Sequence, residues 1–408
     1  MIQFAGRTRR DFLSLLGAVS LGTVTAGAQN SSASYAIANS DYLLAPGLTY
    51  LNTGSLGPSP RAVLERTLAA WYELESNPVG MMWGHGAVID QTDKVRALAA
   101  QFLGCATEEL LVTHSTTDGM NSVALGMNWS AGDRVLTTDQ EHEGGSLCWT
   151  YVTKRAGGFV DKIAITPADQ DANAIVQRFA AAITPRTRVI SVSHVLTTTG
   201  LRMPIPEIAA LARQRGILCV VDGAQAVGQI PVDVKALGCH AYATNGHKWL
   251  LGPKGTGLLY INREAASLIQ PIQLLDGNRC VTGSTGAASL PLIVGLGAAI
   301  ELMKARGMES VKSHNLALRN RAYAGLVKMP RITLVSPPPG PNATALVGFM
   351  LPPEIDSVAL RMRMHDKYNV VVKQEEKQWF NGIRLSPHIF NTEGDIDRAL
   401  SALRSEIA

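Results

Sequence analysis

The stretches VVDGAQAVG, residues 220–228, and ATNGHKWLLGPKGTGLLYI, residues 243–261, carry the densest information in this chain. The short apolar run 218–221, ending in Val220-Val221, has the make-up of a buried strand. Asp222 stands at its carboxyl end, where open α/β sheets bind their ligands. A carboxylate there serves either as a loop cap or as the partner of a cationic group. Lys248 follows 26 positions later, between His247 and Trp249. Desolvation among small and aromatic neighbours lowers a lysine's pKa and makes it a nucleophile toward aldehydes. The run GPKGTG that comes next has no G-K-[ST] ending, so it reads as a turn into a strand rather than a nucleotide loop.

Strands and helices alternate outward from this pair. Residues 110–113, 134–138, 162–165, 188–192 and 257–261 read as strands, and 61–75, 119–126, 172–183 and 206–215 as helices. Such alternation argues an α/β fold with a mostly parallel sheet. A long helix at 290–304 leads out of it. Beyond it the pattern becomes strand, helix, strand, strand, helix, broken by Pro337-Pro338-Pro339-Gly340. The expected organisation is an N-terminal segment over 29–59, a large domain over 60–300 and a small α+β domain over 301–408.

Residues 1–28 read as an address. Arg9-Arg10 precede an apolar stretch from Phe12 to Thr25, and Ala26-Gly27-Ala28 offer a small-residue cleavage site. That order is a twin-arginine export signal, which implies the twin-arginine translocation machinery as partner and a periplasmic location. Its removal takes three arginines and one aspartate and lowers the formal charge from +4 to +2. With 46% hydrophobic and 17% charged residues among 408, the chain is neither disordered nor strongly basic, which speaks against nucleic acid. No apolar run reaches the roughly 20 residues of a spanning helix, so no stable membrane association is expected after processing. Cys105, Cys148, Cys219, Cys239 and Cys280 are scattered and read as buried small hydrophobes, not as a disulfide framework or a metal site.

Other motifs gain meaning together. HSTTDGMNSV, residues 114–123, joins a strand to a helix and is either an ordinary N-cap or an anion site. His142 in TDQEHEGGSLCW alone reads as a solvated turn. Arg384 presents a planar fork suited to a carboxylate. An aspartate after one strand and a lysine after the next suit a pyridoxal phosphate site.

Over about residues 50–398 the chain resembles the class V branch of the fold-type I pyridoxal-phosphate enzymes. The resemblance implies a large domain with a mostly parallel, seven-stranded type of sheet, a smaller C-terminal α+β domain, a homodimer and pyridoxal 5'-phosphate as cofactor. It makes Lys248 the lysine that carries the cofactor, Asp222 the partner of the ring nitrogen and Gln225 a contact of the ring hydroxyl. His142 stacks on the ring, and Thr197 lies in the loop beneath the hydroxyl. Thr116, Thr117, Asn245 and His247 hold the phosphate, and Ser284 reaches the phosphate of the partner subunit. Arg384, with Asn52, binds the substrate carboxylate.

The ending GIR-SPH-NTE-DID looks most like the isopenicillin N epimerase-like group. Transamination or epimerization at the α-carbon of an amino acid or amino-acyl substrate is therefore expected. The alternatives are a C–S lyase, a tailoring enzyme of peptide or siderophore natural products, or a non-catalytic scaffold. A desulfurase needs a loop cysteine before the Arg384 strand, and residues 367–384 contain none. An epimerase needs a second proton donor, for which His85 or a tyrosine is the candidate.

Overall fold

The structure, a computed structural model, describes residues 41–83, 87–167, 169 and 171–407. The twin-arginine signal and His85 lie outside the described residues.

The large sheet has seven strands in the order Leu110–Thr113, Gly257–Ile261, Ala241–Asn245, Leu218–Asp222, Thr187–Ser193, Arg134–Thr138 and Phe159–Ile163. Only Gly257–Ile261 runs against its neighbours; the other pairings are parallel. Both faces are buried, which is why the strands read as continuous apolar runs. Cys219, Val221 and Leu258 enter one core with Phe179, Ile208 and Leu296. Val220 and Leu259 enter the other with Met120 and Trp149. The helix Thr116–Leu125 presses so closely on the sheet that a Cβ on Gly119 would lie 2.9 Å from that of Ala243.

Boundaries differ from expectation where side-chain chemistry overrides periodicity. The helix expected from Gly119 starts at Thr116, because Ser115 Oγ accepts the Asp118 N–H at 3.1 Å and caps it. The edge strand expected at 162–165 spans Phe159–Ile163. Gly157, at φ 74°, ends the preceding helix and starts that strand early. As an edge strand of mixed polarity it carries no clean apolar pattern.

The helix Leu290–Arg306 continues past position 300, and Gly307 separates it from the helix Met308–Leu326. The region after 301 thus begins with helix, not strand. Its four-stranded antiparallel sheet runs Lys373–Gln374, Gly382–Leu385, Val347–Met350, Thr333–Leu334. Phe349, Ile383 and Leu385 pack with Leu318, Leu360 and Leu403 in a separate apolar cluster. Leu51 joins this cluster, and Thr49–Tyr50 pairs with Val370–Val371. Residues 49–51 of the expected N-terminal segment therefore pack with the C-terminal region, in a two-stranded sheet of their own. Among the described residues no helix is long and apolar enough to cross a membrane. All five cysteines are unpaired; Cys105 is half-buried and the other four are buried.

Candidate active site

The strands Thr187–Ser193, Leu218–Asp222 and Ala241–Asn245 end side by side, with Ser193 opposite Asp222 and Asp222 opposite Ala243. Beyond those ends lies a cavity of about 270 Å³. It is lined by Thr116, Thr117, His142, Thr197, Asp222, Gln225, Asn245, His247, Lys248 and Arg384, as expected from the sequence, and by Ser55, Ser193 and Lys373.

One end is built for an anion. Helix starts leave N–H groups without intrahelical partners and carry positive partial charge. Here Asn245 Oδ1 accepts the Thr116 N–H at 2.9 Å. Thr116 Oγ1 and His247 Nδ1 are buried with no hydrogen-bond partner among the described residues. Leaving such groups unpaired costs about 1–3 kcal/mol each, so they are poised for a ligand. Burial, then the Lys248 charge, lowers the His247 pKa to about 4, which leaves its ring neutral at neutral pH. These atoms fit a phosphate group.

Lys248 sits in a tight turn after the strand Ala241–Asn245. Gly252 N–H bonds Gly246 O at 2.7 Å, and Leu251 holds φ 59°, the left-handed region a branched side chain resists. Gly57 packs against that turn. Its N–H donates to His247 O at 2.9 Å, and a Cβ there would stand 2.1 Å from Lys248 O. Held this way, Lys248 turns into the cavity. Burial pushes its pKa down to about 8; Asp222 opposes the shift, and Arg384 and Lys373 add to it.

Asp222 is buried, and its Oδ1 accepts the Ala224 N–H at 2.8 Å. Burial raises its pKa, while that N–H and Lys248 restrain the rise. Gly145 fits against the carboxylate where a Cβ would approach Oδ2 to 2.3 Å. His142 caps the helix Glu143–Ala156, its Nδ1 accepting the Gly144 N–H at 3.0 Å. The neutral ring therefore carries its proton on Nε2. Its pKa falls to about 4 through burial and the charges of Lys248, Lys373 and Arg384.

Gln225 donates from Nε2 to Gly54 O at 2.8 Å and Thr197 Oγ1 at 3.2 Å, and accepts the Trp249 indole N–H at 2.7 Å. Its polar atoms are thus engaged within the protein. Arg384 is buried and gives Nη1 to Thr197 O at 2.9 Å and Oγ1 at 2.7 Å, and Nη2 to Ser55 Oγ at 3.2 Å.

Asn52 stands elsewhere, and Ser284, expected at the phosphate of the partner subunit, lies outside its own chain's cavity. Asn52 does not line the cavity, although Gly54 and Ser55 beside it do. Ser284 bonds Asp276 and Thr282 and lines a second cavity of about 390 Å³ with His114 and Cys280. Ser193 and Lys373 were missed. Ser193 ends a strand beside Asp222, and Lys373 closes the apolar run VVV; either position could have flagged its residue.

The family Aminotransferase class-V matches residues 49–398. The chain belongs to that family. This class-V enzyme is 30% identical to isopenicillin N epimerase of Amycolatopsis lactamdurans, over 91% of this chain and 98% of that one. It is 30% identical to a cysteine desulfurase of Salmonella newport (strain SL254), over 71% and 75%. Among solved structures, the cystine C–S lyase C-DES in complex with its reaction product cysteine persulfide shares the fold. Its TM-score is 0.81 at 24% identity, over 89% of this chain and 99% of that one. The apo cysteine desulfurase of Thermococcus onnurineus NA1 gives a TM-score of 0.80 at 22% identity, over 90% and 97%. The fold is that of fold-type I transferases, and the class-V enzyme depends on pyridoxal phosphate.

Proposed function

We propose that this class-V enzyme moves a proton at the α-carbon of an amino acid or amino-acyl substrate, in transamination or epimerization. The observation that carries the reading is the convergence of Lys248, Asp222 and Arg384 on one cavity whose far end offers unpaired polar atoms for a phosphate. Pyridoxal phosphate supplies an electron sink for the bond broken at that carbon. The chain does the rest. Thr116, Thr117, Asn245 and His247 bind the phosphate, and Asp222 keeps a proton on the ring nitrogen. His142, which lines the cavity, would cover one face of the ring once the cofactor is bound. Arg384, fixed by Thr197 and Ser55, orients the substrate carboxylate. Lys248, with its lowered pKa, takes and returns the α-proton.

A base on one face suits transamination, whereas epimerization requires a donor on the other face. No tyrosine lines the cavity among the described residues. Incubation in deuterated water with candidate amino acids, with and without a keto acid, separates the two. Racemised product carrying deuterium marks epimerization, and a keto product that depends on the acceptor marks transamination. Absence of α-hydrogen exchange for every substrate would overturn both.

A C–S lyase reaction is the second reading, favoured by the desulfurase relative and compatible with the same proton removal. Transfer of sulfur to an enzyme cysteine is disfavoured. The last cysteine, Cys280, lines the second cavity rather than this one.

Export through the twin-arginine route to the periplasm rests on Arg9-Arg10 and Ala26-Gly27-Ala28. A homodimer would give Ser284, which lies outside its own chain's cavity, a partner phosphate to reach.

A further inference from the structure

On one face of the four-stranded sheet three charged side chains stand together. Lys373 lies directly across from Arg384 in the antiparallel register, and both line the cavity. Glu375 comes two residues after Lys373, on the same side of the chain because side chains alternate. Its N–H bonds Gly382 O at 2.9 Å and so extends the pairing. Glu375 Oε1 lies 3.7 Å from Arg384 Nε, and both residues are 1% exposed. Neither Glu375 oxygen nor Arg384 Nε has a hydrogen-bond partner among the described residues.

Without a hydrogen bond, Glu375 does not aim the guanidinium; Thr197 and Ser55 do that. What Glu375 contributes is charge. Two cations directly opposite each other on a sheet repel, and a buried cation with no anion beside it is costly. Burial pushes the Glu375 carboxyl up, and Arg384 and Lys373 pull it back. The other acid near Lys373, Glu376 at 3.4 Å, is exposed and screened by solvent. With Glu375 ionised against Arg384, two positive charges and one negative leave this wall with a single positive charge to offer.

We infer that Glu375 is a specificity-determining residue that sets this charge, so that the site takes a substrate with one carboxylate at this end and disfavours a second. The inference rests on the reading of Arg384 as the carboxylate site.

Glutarate and its half-amide glutaramate test it. They share a shape, differ by one charge and lack the amine needed to react. Their dissociation constants are measured by calorimetric titration of the holoenzyme. Glu375→Gln, and Glu375→Met as a second way of removing the charge, should each shift the ratio about tenfold toward glutarate, the scale of one charge acting across a few ångströms in a partly solvated site. The double variant Lys373→Met/Glu375→Gln should return the ratio to that of the unmodified enzyme, a rescue that a purely structural role would not produce. A ratio unmoved by removal of the Glu375 charge overturns the proposal while leaving the carboxylate site standing. Failure of the unmodified holoenzyme to bind either probe removes the Arg384 reading, and the proposal with it.

Discussion

Asn245 accepts the backbone N–H of Thr116 at 2.9 Å, which ties the strand leading into Lys248 to the start of the anion-facing helix. The lysine and the phosphate end are thereby held in one frame, although they come from segments more than a hundred residues apart.

Replacing Asn245 by alanine breaks that tie and leaves the Thr116 N–H buried without its partner. The expected cost is about 1–3 kcal/mol. It should appear as a lower melting temperature and a cofactor dissociation constant raised roughly tenfold, read by equilibrium dialysis. Unchanged cofactor affinity would mean that the two ends are positioned independently.

Asp222→Asn should leave the fold intact and slow α-proton exchange at least about 100-fold, the scale of a lost preorganised charge. A neutral amide cannot keep the ring nitrogen protonated. Exchange rates in deuterated water check this, with circular dichroism as the control for folding.

Lys248 should react as an amine of low pKa. Burial lowers it to about 8, and only the deprotonated amine is nucleophilic. The rate at which the apoenzyme captures pyridoxal phosphate should therefore rise with pH through a midpoint near 8. Asp222→Asn removes the carboxylate that favours the charged amine, so its midpoint should move lower. A midpoint near the ordinary lysine value of 10.5 would contradict the burial argument.

Much of this site was legible in the sequence because its chemistry sits at strand ends. Asp222 ends the apolar run 218–221 and Lys248 follows the short strand Ala241–Asn245, and alternating residues of both strands feed two buried cores. Thr116, His142 and Arg384 were recognisable by motif and do line the cavity. Tertiary pairing was not legible. That Gln225 is consumed by Gly54, Thr197 and Trp249, or that Glu375 lies against Arg384, depends on contacts between distant segments.

Export makes a separate prediction. Replacing Arg9 and Arg10 by lysine should keep the precursor in the cytoplasm, as read by fractionation and immunoblotting. Normal appearance of the processed protein in the periplasm would contradict a twin-arginine route.

Lys248 should be the residue through which the enzyme holds and uses its cofactor. Holoenzyme treated with borohydride, digested and mapped by mass spectrometry tests this directly. A single pyridoxyl modification is expected on the peptide containing Lys248, and none in Lys248→Ala under the same treatment. A modification on Lys373, Lys254 or any other lysine of the unmodified enzyme, with Lys248 left free, would contradict it.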